Sequence, residues 1–463
     1  MDPTRRGNYL PVQQERQLEH LAVLGTLPPG LRGTLFRNGP NPRFPADDQH
    51  WFLGDGMVHA FSFGDPGSAG GVSYRNRWVR TERWHAEGRA GHALSSRPGG
   101  RSSDTATDAN ADREAPRGVA NTNILQHAGH LLALEEGHAP AGLDPATLDT
   151  LGKITLPVGD GPFTAHPKRD PETGALWFFG ARSEGVVSRA IRLGAVAADG
   201  RMLMQARIEA PYPALVHDFA VTSHHIVIPL FPLVPDLPRA AAGGPWLQWE
   251  PGRGAFLGVM RRDDPAATLR WLAVDSCFSF HVMNAWEDAD SLSIDLMQCD
   301  KPSLFPDAEG RRVAGPTTLW RWRIDLSRPD APVERRQLST LPGEFPQIDL
   351  RTTGFRHRHG FFAATTHDTE LDTICHRDEH TGREALFVAP AGDTLSEPVF
   401  VPRAPDAGEG DGWLLAVQYR AAEDRSDLVI LDTDAVESGP IATVQLPCRV
   451  PNGFHGSFVG AAS

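Results

Sequence analysis

Several things are scarce in this sequence, and each shortage excludes a class of protein. Only four cysteines occur among 463 residues (Cys277, Cys299, Cys375 and Cys448). They lie far apart and form no C-x-x-C pair, so neither a disulfide framework nor a thiolate zinc site is encoded. No stretch approaches the roughly eighteen uninterrupted apolar residues that a membrane-crossing helix needs. The opening MDPTRRGNYLPVQQERQLEH has no apolar core of the signal-peptide kind, and the expectation is a soluble, cytoplasmic protein. Positive charge is short as well. Lys and Arg number 45 against 58 Asp and Glu, a net charge of -13, and no basic run interrupts that balance. Phosphate backbones would be repelled, so no nucleic-acid partner is expected. G-x-S-x-G and H-E-x-x-H are both absent, which removes the common serine hydrolase and zinc protease readings.

Helical periodicity is scarce too, with one candidate around residues 13–25. What the sequence does contain is 46 Gly and 39 Pro, punctuating short apolar or alternating runs such as GMVHAFSFGD, HLLALEEG, ALWFFGAR, HHIVIPLF, LSIDLMQCD, LWRWRIDL and DLVILDTD. Runs of this length between turn residues are the strand signature. Spread over the whole length, they predict an all-β architecture as a single domain over 1–463. A β-propeller accommodates so many strands in small radial sheets, and it is favoured over a sandwich of this size although no fixed-period repeat is visible. Residues 95–118, SSRPGGRSSDTATDANADREAPRG, are small, polar and nearly free of large apolar groups, and are read as a flexible loop.

Histidine is plentiful, with nineteen in all. His166 (FTAHPKRD), His217 (LVHDFAV), His281 (FSFHVMN) and His455 (NGFHGSF) each follow small or apolar residues at the start or end of a predicted strand, where a side chain can face a central axis. Taken singly, each also fits an ordinary core or turn histidine. Together, four neutral imidazoles would suit iron, zinc or copper. A ligating histidine usually gives its second N–H to a carboxylate, and Glu136, Glu344 and Glu397 sit in apolar surroundings that call for such a partner. Two other clusters read as structural. CHRDEH (375–380) is assigned to a solvated hairpin turn, and Asp55, with a glycine on each side, to a tight turn.

The ordered set RNGPNP (37–42), GDGMVHAF (54–61), NRWVRT (76–81), AHPKRDPETG (165–174), HDFAVT (217–222), FHVMNAWE (280–287), EFPQID (344–349), SEPVFVP (396–402) and GFHGSF (453–458) resembles the carotenoid cleavage oxygenase family. That resemblance implies a seven-bladed β-propeller with a helical and loop cap over one face and a ferrous ion, Fe(2+), on its axis. The ion would be held by His166, His217, His281 and His455, with Glu136, Glu344 and Glu397 orienting three of them. It implies a dioxygenase that splits a conjugated C=C bond of a small apolar substrate with O2 into two carbonyl products, the metal and oxygen carrying the hard step.

The phenol-cleaving members of the family carry a tyrosine within NRxVRT and a lysine just before the glutamate that supports a ligand. Here those places hold Trp78 and Glu135, so the expected substrate is a carotenoid or apocarotenoid, with Trp78 lining its tunnel. A stilbene or phenylpropene is the alternative. A non-catalytic carotenoid-binding propeller is disfavoured because no axial histidine is missing, and isomerohydrolase chemistry on the same scaffold stays open. The proline-rich stretch 228–249, IPLFPLVPDLPRAAAGGPWLQW, is a candidate tunnel mouth for peripheral membrane contact, or equally a loop packed on its neighbour.

Overall fold

Glycine and proline end almost every run at the length of a short strand, and the protein accordingly folds as a series of antiparallel meanders. The computed structural model describes residues 6–46, 49–64, 71–94, 118–154, 156–242, 244–305, 307, 310, 315–328, 330–367 and 370–461. Apart from Gly118, the 95–118 segment lies outside the described residues. Two compact units emerge, one of residues 1–155, 389–407 and 411–463, the other of 156–388 with 408–410.

The second unit holds four four-stranded sheets, in each of which spatial order follows sequence order. They open with the strands Lys168–Arg169, Ala220–Val221, Val282–Asp288 and Gly343–Ile348. Between them the sheets bury apolar clusters around Phe179, Leu193, Ile228 and Phe219, and around Leu257, Phe278, Leu296 and Trp322. Stacked, part-buried faces of this kind carry most of the hydrophobic stabilisation of such a fold.

The first unit contains one such sheet, over residues 123–153, and a larger one that joins two meanders through the strand Gln17–Gly25. In one meander the strand Gly456–Gly460 pairs with Gly33–Pro40, Gly33 opposite Gly460 and Arg37 opposite Gly456. Sequence-distant segments thus share one blade, and their ladder hydrogen bonds leave no open edge between them.

Three expectations change here. The segment with helical spacing is the strand Gln17–Gly25. Its apolar Leu18 and Leu21 stand three apart because the register shifts between them, with His20 at φ 53°, and a bulge of this kind mimics the spacing of a helix turn. Asp55 is not in a tight turn. It is buried in extended chain, where its backbone carbonyl accepts from Asn41 N–H and its carboxylate from Arg43 N–H at 2.9 Å. Its glycine neighbour answers to space, since a Cβ on Gly56 would lie 2.3 Å from the Ala120 carbonyl oxygen. Finally, most apolar residues of 228–249 are packed inward. Phe231, Leu233, Leu247 and Trp249 belong to a buried cluster, Leu233 pairs with Trp249 across two short strands, and Leu237 is left exposed. No described helix is long and apolar enough to cross a membrane.

Candidate metal centre

The four histidines occupy equivalent places in the fold. His166 precedes the strand Lys168–Arg169, His217 precedes Ala220–Val221, His281 directly precedes Val282–Asp288 and His455 directly precedes Gly456–Gly460. Each is the first strand of a blade or the one that completes it. A side chain placed just before such a strand is held by the ladder that follows, yet is free of the sheet's own side-chain packing.

In the second unit, His217 Nε2 lies 3.0 Å from His166 Nε2 and 3.2 Å from His281 Nε2. His281 Nδ1 donates to Glu344 Oε2 at 2.6 Å. With the proton on Nδ1, a neutral His281 ring presents its lone pair at Nε2. Three imidazole nitrogens facing one another at such distances cannot all be satisfied by hydrogen bonds among themselves, whereas a cation would take every lone pair. Phe280 meets the His217 ring edge-on at 5.2 Å, and Phe345 lies 5.4 Å from the His281 ring. Apolar rings beside the nitrogens limit access of water.

Glu344 reaches His281 through a distortion. Its strand, Gly343–Ile348, shifts register between Glu344 and Gln347, and Phe345 adopts φ 58°, a left-handed conformation that costs a bulky residue of order 1 kcal/mol or more. Phe345 N–H also donates to Glu344 Oε2, at 2.9 Å. The bulge and this local bond together aim the carboxylate at the imidazole.

His455 is built into the first unit by the RNGPNP segment. Asn38 N–H donates to the His455 carbonyl at 2.9 Å, and Phe454 N–H donates to the Asn38 carbonyl at 3.0 Å. This crossing needs two glycines, because a Cβ on Gly39 would stand 2.5 Å from Gly453 Cα. His455 Nδ1 donates to Glu397 Oε1 at 2.8 Å while Gly456 N–H donates to Glu397 Oε2 at 2.8 Å. Burial pushes the Glu397 carboxyl up, but the His455 imidazole, the Arg37 guanidinium and the Gly456 N–H together hold it below the usual carboxylate range. Arg37 itself is buried, which lowers its pKa to about 10, and its guanidinium donates to the Glu397 and Phe454 carbonyls.

One nitrogen from each of His166, His217, His281 and His455 falls within 4.8 Å of the others, and no other group of three or more histidine, cysteine and acidic side chains among the described residues is so arranged. Four imidazoles, three of them buried, with carboxylates on the second nitrogens of His281 and His455, are a donor set for a divalent transition metal, so the residues fit the ion that the sequence implied.

The remaining candidates divide. Glu136 is half-buried just after the strand His130–Leu134. Trp78 is buried, its indole donating to the Asn41 carbonyl at 2.9 Å. Glu135 accepts from Val119 N–H at 3.2 Å and pairs with His138 Nδ1 at 2.5 Å. These partners of Trp78 and Glu135 are not among the four histidines. CHRDEH is only partly a turn, since Cys375 to Asp378 lie in the strand Thr373–Asp378 with Cys375 fully buried, and the turn begins at Glu379.

Asp218 was missed from sequence. It is 5 % exposed and bonds to Lys168, Phe219 and Val282, each within two residues of a histidine of its unit. Its signal was an acid directly after a candidate ligand, in a run otherwise apolar.

Compared with known proteins, residues 9–460 match the family model described as retinal pigment epithelial membrane protein, RPE65. The protein is 37% identical over 479 residues to isoeugenol monooxygenase of Pseudomonas nitroreducens, covering 99% of this sequence and 98% of that one. It is 33% identical over 464 residues to apocarotenoid-15,15'-oxygenase of Synechocystis, covering 94% and 92%. The crystal structure of Pseudomonas brassicacearum lignostilbene dioxygenase superposes with a TM-score of 0.92 at 32% identity, over 100% of this protein and 99% of that one. The five four-stranded sheets and the two joined meanders are therefore the blades of a seven-bladed β-propeller of the kind these oxygenases share. Neither this fold nor these neighbours single out the carotenoid substrate expected from Trp78 and Glu135, as relatives named for isoeugenol and lignostilbene stand alongside the apocarotenoid enzyme. The protein belongs to the RPE65 and carotenoid cleavage oxygenase family of enzymes that cleave carbon-carbon double bonds.

Proposed function

We propose that this protein is a ferrous dioxygenase that cleaves the ring-conjugated C=C bond of a phenylpropene or stilbene into two carbonyl products, one oxygen atom of O2 entering each. The observation that carries the reading is the all-imidazole cluster of His166, His217, His281 and His455. Likeness to relatives named for isoeugenol and lignostilbene supports the substrate class. It weighs against the polyene expected from Trp78 and Glu135.

In this reading the four histidines hold the ion through neutral nitrogens, so the ligating atoms themselves carry no negative charge. A ferrous ion bound there would supply the activation of dioxygen. Glu344 and Glu397 keep the Nδ1 protons of His281 and His455 in place, which fixes both tautomers and leaves Nε2 as the donor atom. Glu136 is assigned the same task for a further histidine. Phe280 and Phe345 keep water from the nitrogens and offer faces against which an aromatic alkene can lie. No side chain has to give or take a proton from the alkene.

A second reading, apocarotenoid cleavage, is favoured by one observation. The places of the phenol-binding tyrosine and lysine hold Trp78, tied to Asn41, and Glu135, tied to Val119 and His138.

Aerobic incubation of iron-loaded protein with isoeugenol, a hydroxystilbene and an apocarotenal, with products separated by chromatography and identified by mass, tests both. Aldehydes from the phenolic substrates are expected. Aldehydes from the apocarotenal alone would overturn the phenylpropene and stilbene assignment while keeping the site.

A further inference from the structure

We infer that Asp218 is a positioning residue that sets the spacing of three of the four histidines, an inference that rests on the metal centre proposed above. A single carboxylate accepts three bonds from three different blades. Oδ1 takes Lys168 Nζ at 2.7 Å and the Phe219 N–H at 2.7 Å, and Oδ2 takes the Val282 N–H at 2.8 Å. Lys168 stands two residues after His166, Asp218 follows His217, and Val282 follows His281. Each bond therefore acts within two residues of a ligand, at the point where its strand begins.

The geometry explains a problem of assembly. Successive blades meet mainly through side-chain packing, which tolerates small slips, but metal ligation requires nitrogens fixed to a few tenths of an ångström. A buried carboxylate with its lone pairs filled by a cation and two backbone N–H groups is a stiff link, because any slip of one blade leaves a buried charge unsatisfied. Lys168 supplies the charge that makes burial of Asp218 tolerable. None of these groups is among the four histidines of the proposed centre, so the link acts through His166, His217 and His281.

The sharpest probe is D218N, which keeps the volume. An amide has one acceptor oxygen, so in either orientation its NH2 group faces a donor, Val282 N–H on one side or Lys168 and Phe219 N–H on the other. Ferrous affinity is measured anaerobically by competition with a chromophoric chelator, beside the thermal midpoint of the metal-free protein. The expected result is a folded variant that holds ferrous ion at least about tenfold more weakly than the parent, in the range of losses known for groups that orient ligands, with a changed d–d spectrum when loaded with cobalt(II). Parental affinity and an unchanged spectrum would overturn the proposal, as would a fall in the midpoint with affinity intact, the mark of a merely structural role. Should D218N not fold, K168M removes one donor and leaves both backbone bonds. Weaker ferrous binding there supports the proposal, and parental binding overturns it. Failure of the parent itself to bind ferrous ion would instead remove the metal centre.

Discussion

Glu344 takes the His281 Nδ1–H at 2.6 Å from a strand that must bulge, with Phe345 at φ 58°, to present it. Strain of this kind persists only where the surrounding structure holds it, and here it holds a carboxylate against a ligand histidine. Replacing the carboxylate by an amide, E344Q, preserves the shape and removes the charge that keeps the Nδ1 proton in place. Iron retention is expected to fall roughly 10 to 100-fold with little change in the far-ultraviolet circular dichroism. Metal content after dialysis against a chelator is the measurement, and parental retention would remove Glu344 from the ligand support.

His281 itself is fixed by Glu344 and followed directly by a ladder strand. Its removal should cost the ion without costing the fold. H281A is expected to be folded and free of bound iron. Elemental analysis of the purified variant decides, and full occupancy would show that His281 is not a ligand.

Close approach of Gly39 to Gly453 predicts a different kind of failure. A Cβ on residue 39 meets backbone at 2.5 Å, which no rotamer can relieve, so G39A must push the His455 segment away from Asn38. Destabilisation of about 1–3 kcal/mol, the cost of overpacking, should appear in chemical unfolding together with weakened iron binding. If stability falls while iron affinity stays parental, then His455 is positioned by Glu397 alone.

The histidine of the GDGMVHAF motif gives the pH dependence. His59 is buried, and that burial together with the Arg37 charge lowers its pKa from 6.5 to about 3; its Nδ1 lies 2.7 Å from the Tyr74 hydroxyl. The folded protein keeps this ring neutral where the unfolded chain protonates it, so the unfolded state binds more protons between these two values. His59 thus stabilises fully above about pH 6.5, and its contribution is lost as pH falls toward 3. Unfolding free energies across that window should rise with pH, and the slope should be smaller in H59Q. An equal slope in parent and variant would show that the acid limb belongs to other groups.

Much of this architecture was legible because its signals are local. Glycine and proline spacing limits strand length, and alternation marks the half-buried strands, so an all-β fold follows from the residues. The strand at Gln17–Gly25 was misread because a bulge between Leu18 and Leu21 moves apolar residues to a spacing of three, a change in backbone geometry that leaves no residue-type signature. Asp55 was misread for a related reason, since a glycine wanted for close approach to Ala120 looks the same as one wanted for a turn.

The sequence by itself determined the residue types of the centre. Histidines at strand boundaries, glutamates in apolar runs and the ordered motifs were all visible there, because donor chemistry resides in side chains. Tertiary structure decided which of them meet. His166, His217 and His281 are brought to 3.0–3.2 Å contacts although they stand 51 and 64 residues apart, Glu344 is aimed by a bulge, and Asp218 binds three blades through one carboxylate. Such distances depend on how the blades pack, and packing is a property of the whole molecule that no single stretch encodes.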